Sequence, residues 1–341
     1  MPKIEVKELK KDEYELWDEL VKNSPQGTVF HSSDWLTICS RSLNKKLKIY
    51  GCFKNGQLVG GCSLYIYNSK FFKIASSIIE MTPYGGVVLA QSPSSKVREQ
   101  EQTYSHIIKS LCNAFDNEHF DHIQLVNSPD FIDVRPFIWN GWNGRILYAY
   151  YLNLDTDIEK SISKNVRRSI KKAIKNNITV EKSTDTSLFY DLFSMTFMRQ
   201  NLKPPVTKDF FEQTMKILYS KQLGEMWIAK MPSGEAVSAE IVMFDNKRAY
   251  RWSAASHTDF RDTGATSLLL YEIFQDLKKR RFKEINLMAA NTPHLAKFIS
   301  SFNPKLVPYY GVEKSSTKYK MIVNTYRSLR NVYAKSSKTI Y

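Results

Sequence analysis

Two stretches of the chain share one pattern of apolar and polar positions. The first runs from Ser105 as SHIIKSLCNAFDNEHFDHIQL, and the second runs from Ser267 as SLLLYEIFQDLKKRRFKEINL. In each, apolar residues recur first at the spacing of a helix and then at the alternation of a strand. The coinciding apolar pairs are Ile107 and Leu269, Ile108 and Leu270, Leu111 and Ile273, Cys112 and Phe274, Phe115 and Leu277, Phe120 and Phe282, Ile123 and Ile285, and Leu125 and Leu287. One helix–strand unit is therefore predicted twice.

A pair of strands is predicted upstream of each copy. LKIYGCFKNGQLVGGCSLYIY precedes the first copy and GEMWIAKMPSGEAVSAEIVMF precedes the second. Both predict a strand, a glycine-containing turn and another strand. A duplicated ββαβ unit places the chain in the α/β (α+β) class, and we expect the function in a cleft between two similar halves.

Segments outside the repeat predict further elements. Residues 47–72 predict three strands with a hairpin turn at Asn55-Gly56, and residues 137–154 connect the halves. A single basic helix is expected around residues 158–175, with a stripe of Ile158, Ile162, Val166, Ile170, Ala173 and Ile174. The other expected helices are 12–23, one capped by Ser32 or Ser33, 188–198, 209–219, and a tail helix with a stripe of Ile322, Tyr326, Leu329 and Val332.

Composition excludes several classes of protein. A chain of 341 residues with 43% hydrophobic residues is long enough for two cores. No apolar run reaches the roughly 18 residues of a spanning helix. The N-terminus also lacks the apolar segment of a signal peptide. The four cysteines are scattered without metal-type spacing. We therefore expect a cytoplasmic protein with reduced cysteines and no metal.

The positive charge is concentrated in two segments. Residues 160–175 and 314–341 each contain seven basic residues and no acidic one. Together they carry +14 of the net charge of +15. Such patches favour a polyanion, or an anionic membrane surface with peripheral contact, as partner.

Several short strings, taken in order, resemble the FemAB-like proteins of the GNAT acyltransferase superfamily. They are FHSSDWL, TPYGG, Arg167-x-x-Ile170-x-x-Ala173 followed by NNITVE, TFMRQN, RDTGATSLLLYEIF and KFISSFNPKLVPYY. The resemblance covers roughly residues 29–310. It implies two tandem GNAT-like domains, each a mixed twisted sheet flanked by helices. The implied limits are 1–152 and 153–316. The basic helical tail at 317–341 lies outside the resemblance, and we expect it to pack back on the first domain.

The resemblance also implies an activity. Characterised members of the family transfer an amino acid from aminoacyl-tRNA to an amine of a peptidoglycan precursor. We therefore expect an N-acyltransferase whose acceptor is a small-molecule or lipid-linked amine of a cell-envelope or peptide precursor, with no tightly bound cofactor. An acyl-CoA donor is the first alternative, and a non-catalytic RNA- or membrane-binding relative is the second. The oligomeric state stays open.

Two groups of residues are candidates for binding the donor. Basic residues of the helix around 160–175 would contact phosphates, the alternative being a solvated face: Arg167, Arg168, Lys171 and Lys172. The loop Arg261-Asp-Thr-Gly264-Ala265 resembles the GNAT loop that donates backbone N–H groups to the pyrophosphate of coenzyme A. Thr266 stands where the family has Gly or Ala, and its alternative role is a helix N-cap.

The candidates for binding the acceptor lie mainly in the first half. The resemblance places Arg199 where the family contacts a phosphate or carboxylate of the acceptor, the alternative being a surface arginine that ends a helix. The Tyr84-Gly85 turn is expected to line the cleft, although its glycines also satisfy local backbone needs. His31 is expected at the cleft mouth, beside Trp35 in the same string.

The candidate catalytic residues are a carboxylate and two lysines. Glu240 lies inside a predicted strand, where burial would raise its pKa toward the range of a general base. The alternative is a sheet edge that faces water. Family members often have Phe-Lys-x-x-Phe where this chain has Ile299 at the lysine position, so Lys297 and Lys305 are the candidates for stabilising the oxyanion.

Polar positions differ between the two copies. Cys62 is opposite Glu240, and QSPSSKVREQEQTY stands where the second half has FRDTGATS. We therefore expect the second half to handle the donor and the first half to form the wall that binds the acceptor.

Overall fold

The structure is a computed structural model that describes residues 3–69, 71–199, 201–323 and 325. The first half of the chain contains strands and helices in the order β-α-α-β-β-β-β-α-β-α-β. They are β1 (Glu5–Glu8), α1 (Tyr14–Asn23), α2 (Ser33–Ser42), β2 (Lys46–Lys54), β3 (Gln57–Asn68), β4 (Lys73–Ser76), β5 (Gly86–Leu89), α3 (Val97–Asn117), β6 (His122–Val126), α4 (Arg135–Trp139) and β7 (Asn143–Asn153).

The second half repeats this order, without a counterpart of β5 and after two added helices. The added helices are α5 (Ile158–Ser161) and α6 (Lys164–Lys175). The repeated elements are β8 (Thr179–Ser183), α7 (Thr186–Met198), α8 (Lys208–Ser220), β9 (Gly224–Lys230), β10 (Ala236–Phe244), β11 (Ala249–Ser256), α9 (Ala265–Lys279), β12 (Glu284–Met288), α10 (Pro293–Ser300) and β13 (Lys305–Ser315). The predicted α/β class with a duplicated unit is confirmed.

A single mixed sheet runs through both halves. Its strand order is β1-β2-β3-β4-β6-β13-β7-β12-β11-β10-β9-β8, and β5 pairs with β3. The pairs β4–β6 and β11–β12 are parallel, and they occupy the same position in each half. The remaining strand pairs of this sheet are antiparallel.

The two halves exchange their last strands. β7 ends the first half of the chain but pairs with β12 of the second, while β13 pairs with β6 of the first. The two exchanged strands also pair with each other at nine positions, from Asn143 opposite Glu313 to Tyr151 opposite Lys305. The predicted domain limits at residues 152 and 316 thus lie within one residue of the ends of β7 and β13, two strands that cross into the opposite half of the sheet.

Helices cover both faces of the sheet. We call the face under α1, α2, α7 and α8 the front, and its core is continuous across the two halves because α2 packs against α8. The back is covered by α3 and α4 in the first half and by α6, α9 and α10 in the second. The back therefore has two cores and the front has one.

Most predicted elements are present with shifted ends. The helix expected at 12–23 begins at Tyr14, because Lys11–Glu13 form a 3-10 turn. Ser32 caps α2, since its side chain accepts a hydrogen bond from Trp35 N. The third strand expected within 47–72 is β4, which begins at Lys73.

The prediction of one continuous basic helix is wrong. α5 ends at Ser161, and α6 begins anew after Ser163, whose side chain caps it by accepting from Val166 N. Ile174, assigned to the buried stripe, is 58% exposed. The apolar residues keep their helical spacing across the two residues between α5 and α6. The sequence pattern therefore does not show that a second helix begins.

The predicted tail helix is described only in part. Residues 317–323 are helical, and Tyr319 stacks on His122 of β6 with ring centroids 4.6 Å apart. The described part therefore contacts the first half. Tyr326, Leu329 and Val332 of the expected stripe lie outside the described residues.

Arg248 joins the two halves beside the exchanged strands. Its Nη1 lies 3.0 Å from Asp130 Oδ2 of the first half and donates to Tyr151 OH of β7 at 3.0 Å. Its Nε lies 3.1 Å from Glu284 Oε1 of β12. The side chain is mostly buried, so its charge depends on these partners.

Replacing Arg248 by Met should lower the free energy of unfolding by about 2–3 kcal/mol, because two carboxylates and a tyrosine lose a common partner. Arg41→Met on the exposed side of α2 is the matched control, with an expected change within about 0.5 kcal/mol. Urea unfolding measures both changes. Equal losses in the two variants would show that Arg248 does not fasten the halves.

Candidate active site

The parallel pair β11–β12 opens after two positions. Ala249 pairs with Ile285 and Tyr250 with Asn286; beyond these positions β11 stays paired with β10, and β12 stays paired with β7. The sheet of the second half therefore has an opening that begins at Arg251. On the front face, a residue of the first half lies at the edge of this opening. Met81 O accepts a hydrogen bond from Trp252 Nε1 of β11 at 2.8 Å.

The corresponding place in the first half is closed. β4 and β6 pair at three positions, and the chain after β4 continues to bond to β6. Ser77 N donates to Gln124 O at 3.0 Å, and Gly85 N donates to Val126 O at 2.9 Å. The duplication thus leaves an opening between the central parallel strands in the second half.

Asn286 holds the backbone at the inner end of this opening. Its Nδ2 lies 2.9 Å from Tyr84 OH and 3.1 Å from Tyr151 OH, and its Oδ1 accepts from Met288 N at 2.8 Å. Met288 and Ala289 both have positive φ (53° and 56°), a conformation unfavourable for residues other than glycine. Sequence reasoning missed Asn286, although an asparagine inside a strand was a usable signal.

Four predicted acceptor residues meet in the buried seam between the halves. They are His31, Trp35, Tyr84 and Gly85, and the three side chains among them are buried. Trp35 Nε1 donates to Thr82 Oγ1, and its ring packs at right angles to Trp252. A Cβ at Gly85 would lie 2.1 Å from Ser77 O, so close packing requires glycine here. Their observed contacts are with protein, and a role in acceptor binding stays a prediction.

His31 does not stand at a cleft mouth, and that expectation is wrong. The side chain is fully buried, where Nδ1 accepts from Thr28 N at 3.2 Å and Nε2 donates to Gly85 O at 2.8 Å. Both ring nitrogens are satisfied by the neutral imidazole. Burial lowers the pKa of His31 to about 4, so the ring is uncharged at neutral pH.

The His31 pKa predicts a loss of stability in mild acid. The unfolded chain binds a proton on this ring near pH 6.5 and the folded chain near pH 4, so the contribution is complete above 6.5 and falls as pH drops. At about pH 5 the loss should be about 2 kcal/mol. Urea unfolding of wild type and His31→Gln, each above pH 6.5 and at about pH 5, measures this loss of stability. A drop of the same size in the variant would refute the assignment.

The predicted donor loop contacts α6. Arg261 lies in a 3-10 turn, Gly264 has φ 84° and caps α9, and Ala265 is buried. A Cβ at Gly264 would lie 2.1 Å from Ser169 O of α6. The alternative role of Thr266 as N-cap is wrong, because Gly264 takes that position and Thr266 Oγ1 lies 3.0 Å from Ser238 Oγ.

Arg199 is exposed and follows α7 as its C-cap residue, which agrees with the alternative of a surface arginine that ends a helix. Partial burial and the positive charge of Arg261 lower the pKa of Arg199. Among the described residues neither arginine forms a salt bridge. A role for Arg199 in acceptor binding stays a prediction.

The four basic residues of α6 divide into two kinds. Arg168, Lys171 and Lys172 are exposed and form no salt bridge with a described carboxylate. Arg167 instead turns back on its own chain, where Nη1 donates to Ile162 O at 2.6 Å. Arg167 thus satisfies carbonyls left free at the end of α5, while the other three side chains face outward.

The three predicted catalytic residues lie on separate elements. Glu240 is fully buried on β10, which has a neighbouring strand on each side, so the alternative of a water-facing edge is wrong. Burial raises the pKa of Glu240, and the charge of Arg251 opposes that rise. Lys297 is exposed on α10, and Lys305 is exposed at the start of β13. In the described contacts neither lysine touches Glu240.

Ile299, at the family lysine position, is fully buried in the back core of the second half. Lys297 and Lys305 therefore do not take its place in the packing. Their role in stabilising an oxyanion stays a prediction.

The described residues contain no group of three or more His, Cys, Asp or Glu side chains that could hold a metal ion. The cysteines Cys39, Cys52, Cys62 and Cys112 are buried and free. Burial raises the thiol pKa of Cys39, Cys52 and Cys112 to about 12, so these sulfurs are poor nucleophiles. Within the same residues, no helix has the length and apolar content to cross a bilayer.

Comparison with known proteins supports the fold. The family model described as "Acetyltransferase (GNAT) domain" matches residues 160–294, and a search of curated proteins found no match. The crystal structure of FemX is similar at TM-score 0.68 and 12% identity, over 90% of this chain and 96% of that one. L-PGS from Bacillus licheniformis gives TM-score 0.58 and 12% identity over 94% and 97%. A tandem GNAT protein from the clavulanic acid pathway gives 0.56 and 11% over 92% and 98%.

At these identities the structural likeness shows the fold alone. Residues 160–294 form an acetyltransferase domain of the GNAT superfamily, and the chain as a whole has the FemAB-like fold of that superfamily. The protein is an acyltransferase.

Proposed function

We propose that the protein transfers an amino acid from aminoacyl-tRNA to an amine of a cell-envelope or peptide precursor. The observation that carries this proposal is the exposed basic surface of α6, a helix whose backbone at Ser169 packs against the donor loop at Gly264. A long polyanion can contact the loop and this surface together, and coenzyme A has few phosphates to spread over it.

The opening between β11 and β12 is where the donor carbonyl would lie. The phosphates of the donor would meet Arg261 and the N-terminus of α9. The neutral amine of the acceptor attacks the ester carbonyl, the carbon–nitrogen bond forms, and the ribose oxygen of the tRNA leaves. The amine proton passes to solvent or to the departing oxygen. Catalysis of this kind rests on positioning and on stabilising the oxyanion.

The acceptor would approach from the first half, whose Met81 lies at the edge of the opening on the front face. A small-molecule amine and a lipid-linked amine both fit this proposal, the latter with the protein at a membrane surface. No tightly bound cofactor is part of the mechanism.

An acyl-CoA donor is the second candidate. The match of residues 160–294 to the acetyltransferase domain supports it, as does the Gly264 cap on α9. The two donors are distinguished by incubating the protein with charged tRNA or with acetyl-CoA and following label transfer to amine acceptors. We expect transfer from charged tRNA. Transfer from acetyl-CoA alone would establish the second candidate.

Reversing the charge of Arg168, Lys171 and Lys172 to Glu should weaken tRNA binding at least about tenfold and reduce its salt dependence, because phosphate contacts are lost. The matched control reverses three other exposed lysines without salt bridges to described carboxylates, Lys46, Lys109 and Lys216. Filter binding across salt concentrations measures both. Equal weakening by the two triple variants would show that tRNA binding depends on net charge alone. The basic surface of α6 would then no longer support the proposal.

A further inference from the structure

A buried ion pair lies where the sheet begins to open. Arg251 Nη2 donates to Glu240 Oε1 at 2.5 Å, with the two side chains 10% and 0% exposed. Within the described residues, Glu240 Oε2 and Arg251 Nε have no hydrogen-bond partner. Buried polar atoms without partners are uncommon and costly.

The pair lies on the back face beneath α9. Thr266 at the start of α9 bonds to Ser238 on β10, and Arg280 just after its end packs on Phe244 at the other end of that strand. The helix therefore runs along β10 and crosses the level of Glu240. Arg251 follows Tyr250, the last residue of β11 paired with β12, so it is the first residue at the opening.

The packing of the fold does not explain this pair. The position that corresponds to Glu240 in the first half is Cys62, buried in an apolar core. An apolar pair of similar volume would be at least as stable as a buried ion pair with unsatisfied atoms. The charges are therefore better explained by a ligand than by stability.

We infer that Arg251 is a catalytic residue whose guanidinium stabilises the negative oxygen formed on the donor carbonyl, and that Glu240 is a positioning residue that holds it. This inference rests on the proposed acyl transfer but applies to an ester or a thioester donor alike. As the amine nitrogen bonds to the carbonyl carbon, the carbonyl electron pair moves to oxygen, which accepts an N–H of Arg251. The pair returns when the bond to the leaving oxygen or sulfur breaks, and the ammonium proton goes to solvent or to the leaving group.

Arg251 suits this role better than the two exposed lysines. It is held by a carboxylate in a site of low exposure, where a positive charge acts more strongly than in water. Lys297 and Lys305 are exposed and have no such restraint in the described structure. Glu240, in direct contact with a cation, acts through that cation rather than as a base.

The test measures kcat and KM of label transfer, with melting temperatures to confirm folding. Arg251→Met should lower kcat about 100-fold or more with KM changed by less than about threefold, since the interaction forms in the transition state. Arg251→Lys should retain part of the activity, and added guanidinium ion should partly restore Arg251→Ala. The matched control is Arg280→Met, which breaks the Arg280–Glu225 pair of the same half and should keep wild-type kcat.

The double variant Glu240→Gln with Arg251→Met decides between chemistry and packing. It should fold like wild type because no unpaired charge remains, yet stay as inactive as Arg251→Met. Wild-type kcat in this variant would overturn the inference while leaving acyl transfer intact. A larger loss in Glu240→Gln than in Arg251→Met, with the acidic limb of the pH profile removed, would make Glu240 the base instead. No transfer by wild type from either donor would overturn the proposed function and this inference together.

Discussion

The exchange of β7 and β13 is the constraint on which the rest of the structure depends. Each half lacks the strand that completes its sheet and receives it from the other half. Because the two exchanged strands also pair with each other, the halves cannot separate without breaking three ladders of hydrogen bonds. Buried polar side chains such as Asn286 and His31 form their hydrogen bonds across or beside this seam.

This shared frame turns a symmetric duplication into an asymmetric site. In the first half, Ser77 and Gly85 bond to β6 and close the gap that follows the parallel pair. In the second half the corresponding gap stays open from Arg251 onward, and the loop before α9 packs on α6. The predicted division between a donor half and an acceptor half is a proposal that this difference supports.

Much of the fold could be predicted because apolar periodicity reports local structure, and the two repeat helices with their strands were predicted from it. The strand exchange could not be predicted, because tertiary packing decides which strands pair with β13. The apolar pattern of β13 itself does not identify those strands. The same limit applies to the site. Glu240 could be identified from the sequence as a carboxylate within a strand. Its partner Arg251 could not, because it lies on the next strand, and the string Arg-Trp-Ser does not indicate a buried charge. His31 was expected at the cleft mouth, and its burial could not be predicted because its ring is enclosed by a turn 54 residues away, where Nε2 donates to Gly85 O.

We propose that the second half alone binds the donor. Amide hydrogen exchange of the wild-type protein, with and without charged tRNA, tests this proposal. We expect slower exchange at residues 164–175 and 261–268, with no change at residues 91–100, the corresponding loop and helix start of the first half. Protection at residues 91–100, or no protection at the α6 and α9 segments under saturating tRNA, would contradict it.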